Sequence, residues 1–140
     1  MKASTFALVT ALLASASPAL ADTNASLARA HFAAVASGDV ATIISQYAAG
    51  PWLSWVGGPL DGTYFGTGQI TGVWTKFSKA IGPLKASVSD LREHGNPKGT
   101  TVTAHVVFTG KATVKVYYML LYRGDKLVDE IWQIDPKFGH

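Results

Sequence analysis

The chain has 140 residues, of which 48% are hydrophobic, with 12 Lys and Arg against 9 Asp and Glu, a formal net charge of +3 and no cysteine. Its lysines are scattered singly (Lys76, Lys79, Lys85, Lys98, Lys111, Lys115) and form no basic stripe, which argues against nucleic acid as a partner. Without cysteine there is no disulfide, thiolate ligand or thiol catalysis, and stability must come from packing.

Lys2, the apolar run Phe6 to Leu13 and the sequence Ala19-Leu20-Ala21 have the layout of an export signal with an A-x-A cleavage site. Cleavage after Ala21 is expected, giving a periplasmic or secreted protein with one domain over residues 22–140. The apolar run is shorter than the roughly 20 residues of a membrane span, and no later segment reaches that length.

Leu27, His31 and Val35, with Ala28 and Phe32, recur at helical spacing, and Gly38 has the chemistry of a left-handed stop. Asp39 can cap a second helix, whose stripe Val40, Ile43, Ile44 and Tyr47 runs to Gly50 and Pro51. Pro51 to Val56 reads as a short strand, and GGPLDGTYFG as a loop with a brief extended piece. Thr67 can cap a third helix, in which Ile70, Val73, Trp74, Phe77 and Ile81 form the strongest periodic signal in the chain.

After Gly82 and Pro83 the period changes to two. Strands are expected over Leu84 to Glu93, Thr101 to Thr109, Thr113 to Tyr122 and Leu127 to Ile134, joined by the hairpin turns GNPKG and RGDK. Helices first and an antiparallel sheet after make the class α+β. Parity turns Val102, Ala104, Val106 and Phe108, and then Val114, Val116, Tyr118 and Leu120, toward the helices. The same parity in the last strand carries Val128, Glu130, Trp132 and Ile134 inward and leaves Asp129, Gln133 and Asp135 outside. A carboxylate on an apolar face costs several kcal/mol unless it is paired or hydrogen-bonded, so Glu130 marks either an edge or a site.

The stretches ASGDVATIISQYA, GPLDGTYFGTGQI and GDKLVDEIWQID, in that order and spacing, resemble the SnoaL-like branch of the nuclear transport factor 2 superfamily over essentially the whole mature chain. The resemblance implies three helices packed on a strongly curved, mostly antiparallel sheet, a cone-like barrel that is often dimeric through its outer face. It also implies an apolar cavity, for which Tyr47, Trp52, Trp55, Tyr64, Trp74, Phe77, Tyr118 and Trp132 are the candidate wall. Fold alone does not give function, because this superfamily holds isomerases, cyclases, epoxide hydrolases, dehydratases and non-catalytic subunits.

In the family's ketosteroid isomerases a helix-borne tyrosine works with a carboxylate base and a protonated acid. His31 stands at the tyrosine's place, Ser54 to Val56 at the base's and Tyr117 and Tyr118 at the acid's, so the isomerase set is absent. In the related cyclases and epoxide hydrolases an acid inside the cone does the acid-base work, and Glu130 or Asp61 is the nearest such group here. Asp61 also suits a turn in its G-x-L-D-G context. His31, His94, His105 and His140 have no metal-ligand spacing, so neither metal nor cofactor is expected.

Three readings follow. The first is an exported protein that binds a small hydrophobic or aromatic molecule without a cofactor. The second is a cofactor-independent isomerase, cyclase or lyase using Glu130 and His31, and the third a module that dimerises or docks through the outer sheet face.

Overall fold

The structure, a computed structural model, describes residues 23–138, and the expected export signal lies outside them. In chain order the elements are α1 (Asn24–Ser37), α2 (Val40–Ser45), β1 (Tyr47–Val56), β2 (Gly62–Phe65), α3 (Gly66–Ile81), β3 (Lys85–Asn96), β4 (Gly99–Thr109), β5 (Thr113–Arg123) and β6 (Lys126–Ile134). The six strands form one sheet in the order β2-β1-β6-β5-β4-β3. Every pair is antiparallel except β1 with β6. The sheet is curved but unclosed, with β2 and β3 at its edges, and the helices cover its concave face. The expected α+β class with three helices holds, while the barrel stays open.

Local chemistry explains most boundaries. The Thr23 hydroxyl accepts from the Ser26 amide at the start of α1, and Gly38 ends it at φ 71°, its amide bonded back to Val35. A Cβ on Gly38 would meet the Ser78 hydroxyl at 2.5 Å, so this residue also allows the α1–α2 corner to press on α3. Asp39 caps α2 through the Thr42 amide, as its position in the sequence suggests. α1 is rich in alanine on its buried side (Ala28, Ala34, Ala36), which brings its axis close to β3 and β4.

Two helix boundaries differ from expectation. α2 stops at Ser45, and Tyr47 begins β1 rather than finishing a helical stripe. The Leu127 amide donates to the Gln46 carbonyl, and Tyr47 pairs with Leu127, so a partner from the end of the chain decides the conformation. Gly50, at φ 66°, and Pro51 lie in the register shift between Tyr47 and Trp52, a bulge within a strand. α3 starts at Gly66 with Phe65 as its cap residue. The Gln69 side chain accepts from the Phe65 amide, so Thr67 lies inside the helix and does not cap it.

Inward parity in β4 and β5 is as expected. Val102, Ala104, Val106, Phe108, Val116, Tyr118 and Leu120 are all buried, joined by Phe32 from α1 and Val73, Trp74 and Phe77 from α3. Each fully buried large apolar side chain contributes about 1.5–3 kcal/mol. In β6 a register shift falls opposite Leu121 and Tyr122. Leu127 is therefore the buried residue at the start of the strand and Val128 sits at the bulge, half-buried, whereas Glu130 and Trp132 face inward. No helix among the described residues is long and apolar enough to cross a membrane.

Candidate functional site

Glu130 enters the interior on β6 opposite Leu53 of β1 and Leu120 of β5. It is fully buried, and so is His31, which α1 places above it. One carboxylate oxygen accepts from His31 Nε2 and, at 2.6 Å, from the Tyr118 hydroxyl, and the other accepts from the Tyr47 hydroxyl. Trp74 Nε1 donates to the Tyr47 oxygen at 3.1 Å. On its far side the His31 ring donates from Nδ1 to Gln46 Oε1 at 2.6 Å.

Both ring nitrogens of His31 thus face oxygen acceptors, a pairing that only the imidazolium satisfies in full. Burial pulls the His31 pKa down, but the Glu130 charge and the hydrogen bonds to Glu130 and Gln46 outweigh it, and the net direction is upward. Burial and then the Glu130 charge raise Tyr47 and Tyr118 well above the ordinary phenol range, so both remain hydroxyl donors. The result is a buried ion pair whose carboxylate accepts three hydrogen bonds. Removing one member of such a pair leaves an uncompensated buried charge, at a cost of about 3–5 kcal/mol.

Above this polar centre lies an aromatic layer. Trp132 packs on Trp55 at 4.7 Å between ring centroids, on Phe108 at 5.2 Å, and edge-on to Trp74, Phe77 and Tyr118. Its indole N–H has no hydrogen-bond acceptor among the described residues. Trp55 and Phe77 form one side of an open hollow of about 360 Å³ between the 57–61 loop, the end of α3 and the ends of β5 and β6. Gly58, Pro59, Leu60, Lys76, Ala80, Ile81, Val114 and Ile134 complete it. Neither Glu130 nor His31 lines this hollow.

The loop that walls the hollow is held by two side chains. Asp61 accepts from the Gly57 amide at 2.7 Å, and the Tyr64 hydroxyl donates to the Leu60 carbonyl at 2.6 Å. Asp61 is exposed and engaged with its own loop, not hydrogen-bonded to Glu130 or His31. Gly57 has φ 96°, and a Cβ there would stand 3.2 Å from that of Ile134, so glycine keeps the loop against β6.

The eight expected wall residues therefore separate. Trp55 and Phe77 line the hollow, Tyr47, Trp74 and Tyr118 serve the Glu130 network, and Trp132 divides the two. Tyr64 braces the loop. Trp52 is a correction: Leu53 and Trp55 point inward, so Trp52 lies on the outer face, 47% exposed, against Phe65. Sequence reasoning missed Gln46, whose role needs the α2–β1 junction, and Lys76, Ala80 and Ile81, whose one-turn spacing beside Phe77 was the available signal.

No family model matches the chain, and no curated protein matches it. Solved structures do. An NTF2-like protein of unknown function from Pseudomonas putida superimposes with a TM-score of 0.67 at 17% identity, over 81% of this chain and 84% of that one. The fold is that of the nuclear transport factor 2-like superfamily. A protein with a ketosteroid isomerase-like fold from Catenulispora acidiphila, in complex with trimethylamine, matches with a TM-score of 0.59 at 16% identity, over 79% of this chain and 85% of that one. A protein of unknown function with a cystatin-like fold from Nostoc punctiforme gives 0.67 at 14% identity, over 81% of this chain and 89% of that one. At such identities the nuclear transport factor 2-like likeness is one of fold.

Proposed function

We propose that this protein is exported and binds a small hydrophobic or aromatic molecule, without a cofactor, in the hollow at the mouth of its curved sheet. The observation that carries this reading is the hollow itself: its roughly 360 Å³ is bounded by side chains that are apolar except for Lys76, and two aromatic rings lie on one side of it. That volume suits a small-molecule site, and covering apolar surface releases about 25 cal/mol per Å². A fold neighbour in complex with trimethylamine supports a small-molecule site on this architecture.

Ala80→Trp tests the proposal, because Ala80 is an exposed residue on the wall of the hollow and an indole there occupies the space a ligand needs. Calorimetric titration with 1-octanol or naphthalene should show binding to wild type and at least a tenfold loss in the variant, with an unchanged melting midpoint. Equal affinity in a folded Ala80→Trp protein would reject this site.

A second reading, cofactor-independent isomerase, cyclase or lyase chemistry through Glu130 and His31, is favoured by their direct hydrogen bond, along which a proton can pass. Tyr47, Tyr118 and Trp74 enclose the pair, so a substrate would have to displace a tyrosine to reach it. Exchange of a carbon-bound proton in deuterated water, lost on Glu130→Gln, would support this reading over simple binding.

A further inference from the structure

We infer that the hollow selects amphipathic anions, an apolar body ending in a carboxylate or a similar acidic head, with the Lys76 ammonium as the recognising group; this rests on the binding reading above. Lys76 is the one charged residue among the ten that line the hollow. It stands on α3 one residue from Phe77 and about one turn from Ala80, on the same side as the apolar wall. From there its four-carbon stem can lie along the wall while the ammonium stays at the wet rim.

No carboxylate answers that charge. Among the described residues Lys76 takes part in no ion pair and no hydrogen bond, and the stretch between Asp61 and Asp90 that contains it has no acid. Two acids adjoin the lining in sequence: Asp61, next to Leu60, is committed to the Gly57 amide, and Asp135, next to Ile134, lies 3.8 Å from His105 Nε2. A rim that is otherwise apolar and carries one unanswered cation complements a ligand with an apolar body and one negative end. A neutral ligand fills the same space without answering the cation, and a cationic one is opposed by it. Lys79, on the exposed side of the same helix and absent from the lining, supplies a built-in control.

The test compares octanoate with 1-octanol, matched in chain length and different in charge, by calorimetry on the full chain at low ionic strength. Wild type should bind octanoate about fivefold more tightly, the scale of a partly exposed ion pair. Lys76→Met should abolish that preference, so that octanoate binds no more tightly than 1-octanol, and Lys79→Met, outside the lining, should leave both affinities as they are. A preference that survives Lys76→Met, or that Lys79→Met removes equally, would overturn the inference, as would equal binding of the two ligands by wild type. In each of those outcomes the hollow still binds apolar molecules and the proposed function stands. If wild type binds neither ligand, the binding reading itself fails and the inference falls with it.

Discussion

His31 and Glu130 are separated by 99 residues of sequence and joined by a hydrogen bond at the centre of the molecule, where neither side chain reaches solvent. One comes from the first helix and the other from the last strand, so the contact ties the two ends of the fold across the concave face of the sheet. Its electrostatic consequence is a buried cation that stays charged because a buried anion faces it.

That pairing sets a pH dependence of stability. Folding raises the His31 pKa above its unfolded value near 6.5, so the stabilisation is fully present below about pH 6.5. As pH rises further the unfolded chain loses this proton first, folding must take one up, and stability falls until the folded imidazolium also titrates. Urea midpoints between pH 5.5 and 9 should decline with pH for wild type, and His31→Gln should be less stable at low pH and follow a flatter profile. An equal slope in both proteins would dissociate the effect from His31.

Glu130→Gln separates stability from binding. The amide offers one acceptor oxygen where the carboxylate served three donors, so one tyrosine hydroxyl loses its partner and the imidazolium its counter-charge. Destabilisation of about 3–5 kcal/mol is expected in urea titrations, the cost of leaving a buried charge unpaired. Affinity for 1-octanol should not change, because Glu130 does not line the hollow. Lost binding in a folded Glu130→Gln protein would instead place the ligand at the polar centre.

The outward face of the sheet carries Met119, Leu121 and Ile131 around a shallow depression, with Trp52 and Phe65 exposed near the β2 edge. A homodimer through this face is predicted, since apolar area of this kind is usually covered. Sedimentation should give a dimer at tens of micromolar for wild type and a monomer for Met119→Glu. A wild-type monomer at high micromolar concentration would remove the prediction.

Export predicts a mature chain that begins at Asp22, one residue after the A-x-A site. Mass spectrometry of protein recovered outside the cytoplasm reads this directly, and a mass that still includes the Phe6 to Leu13 run would contradict it.

Much of the fold was legible because β4 and β5 alternate strictly, and strict alternation leaves a strand only one way to face a core. The inward position of Glu130 was readable for the same reason: Trp132 could not be buried without it. What failed were places where a distant partner overrode a local pattern. Ile43, Ile44 and Tyr47 keep helical spacing, yet Tyr47 pairs with Leu127 and becomes strand. Val128 loses its inward place to Leu127 because a bulge costs the strand one step of register. Trp52 was expected inside from its residue type, whereas its neighbours Leu53 and Trp55 fix the opposite face.

The parallel pairing of β1 with β6 also orders events in time. Residues of β1 find their parallel partners among Leu127 to Gln133, synthesised long after β1 itself. Until then the nascent chain has the four-residue β2 as the one strand to pair with β1 and α3 to pack on it, and His31 lacks the Glu130 counter-charge. Closing so long a loop is entropically slow, and the contacts that reward it arrive together. An unfinished chain is accordingly a loose one, and a nascent polypeptide stalled before Lys126 should remain open to proteases along its whole length.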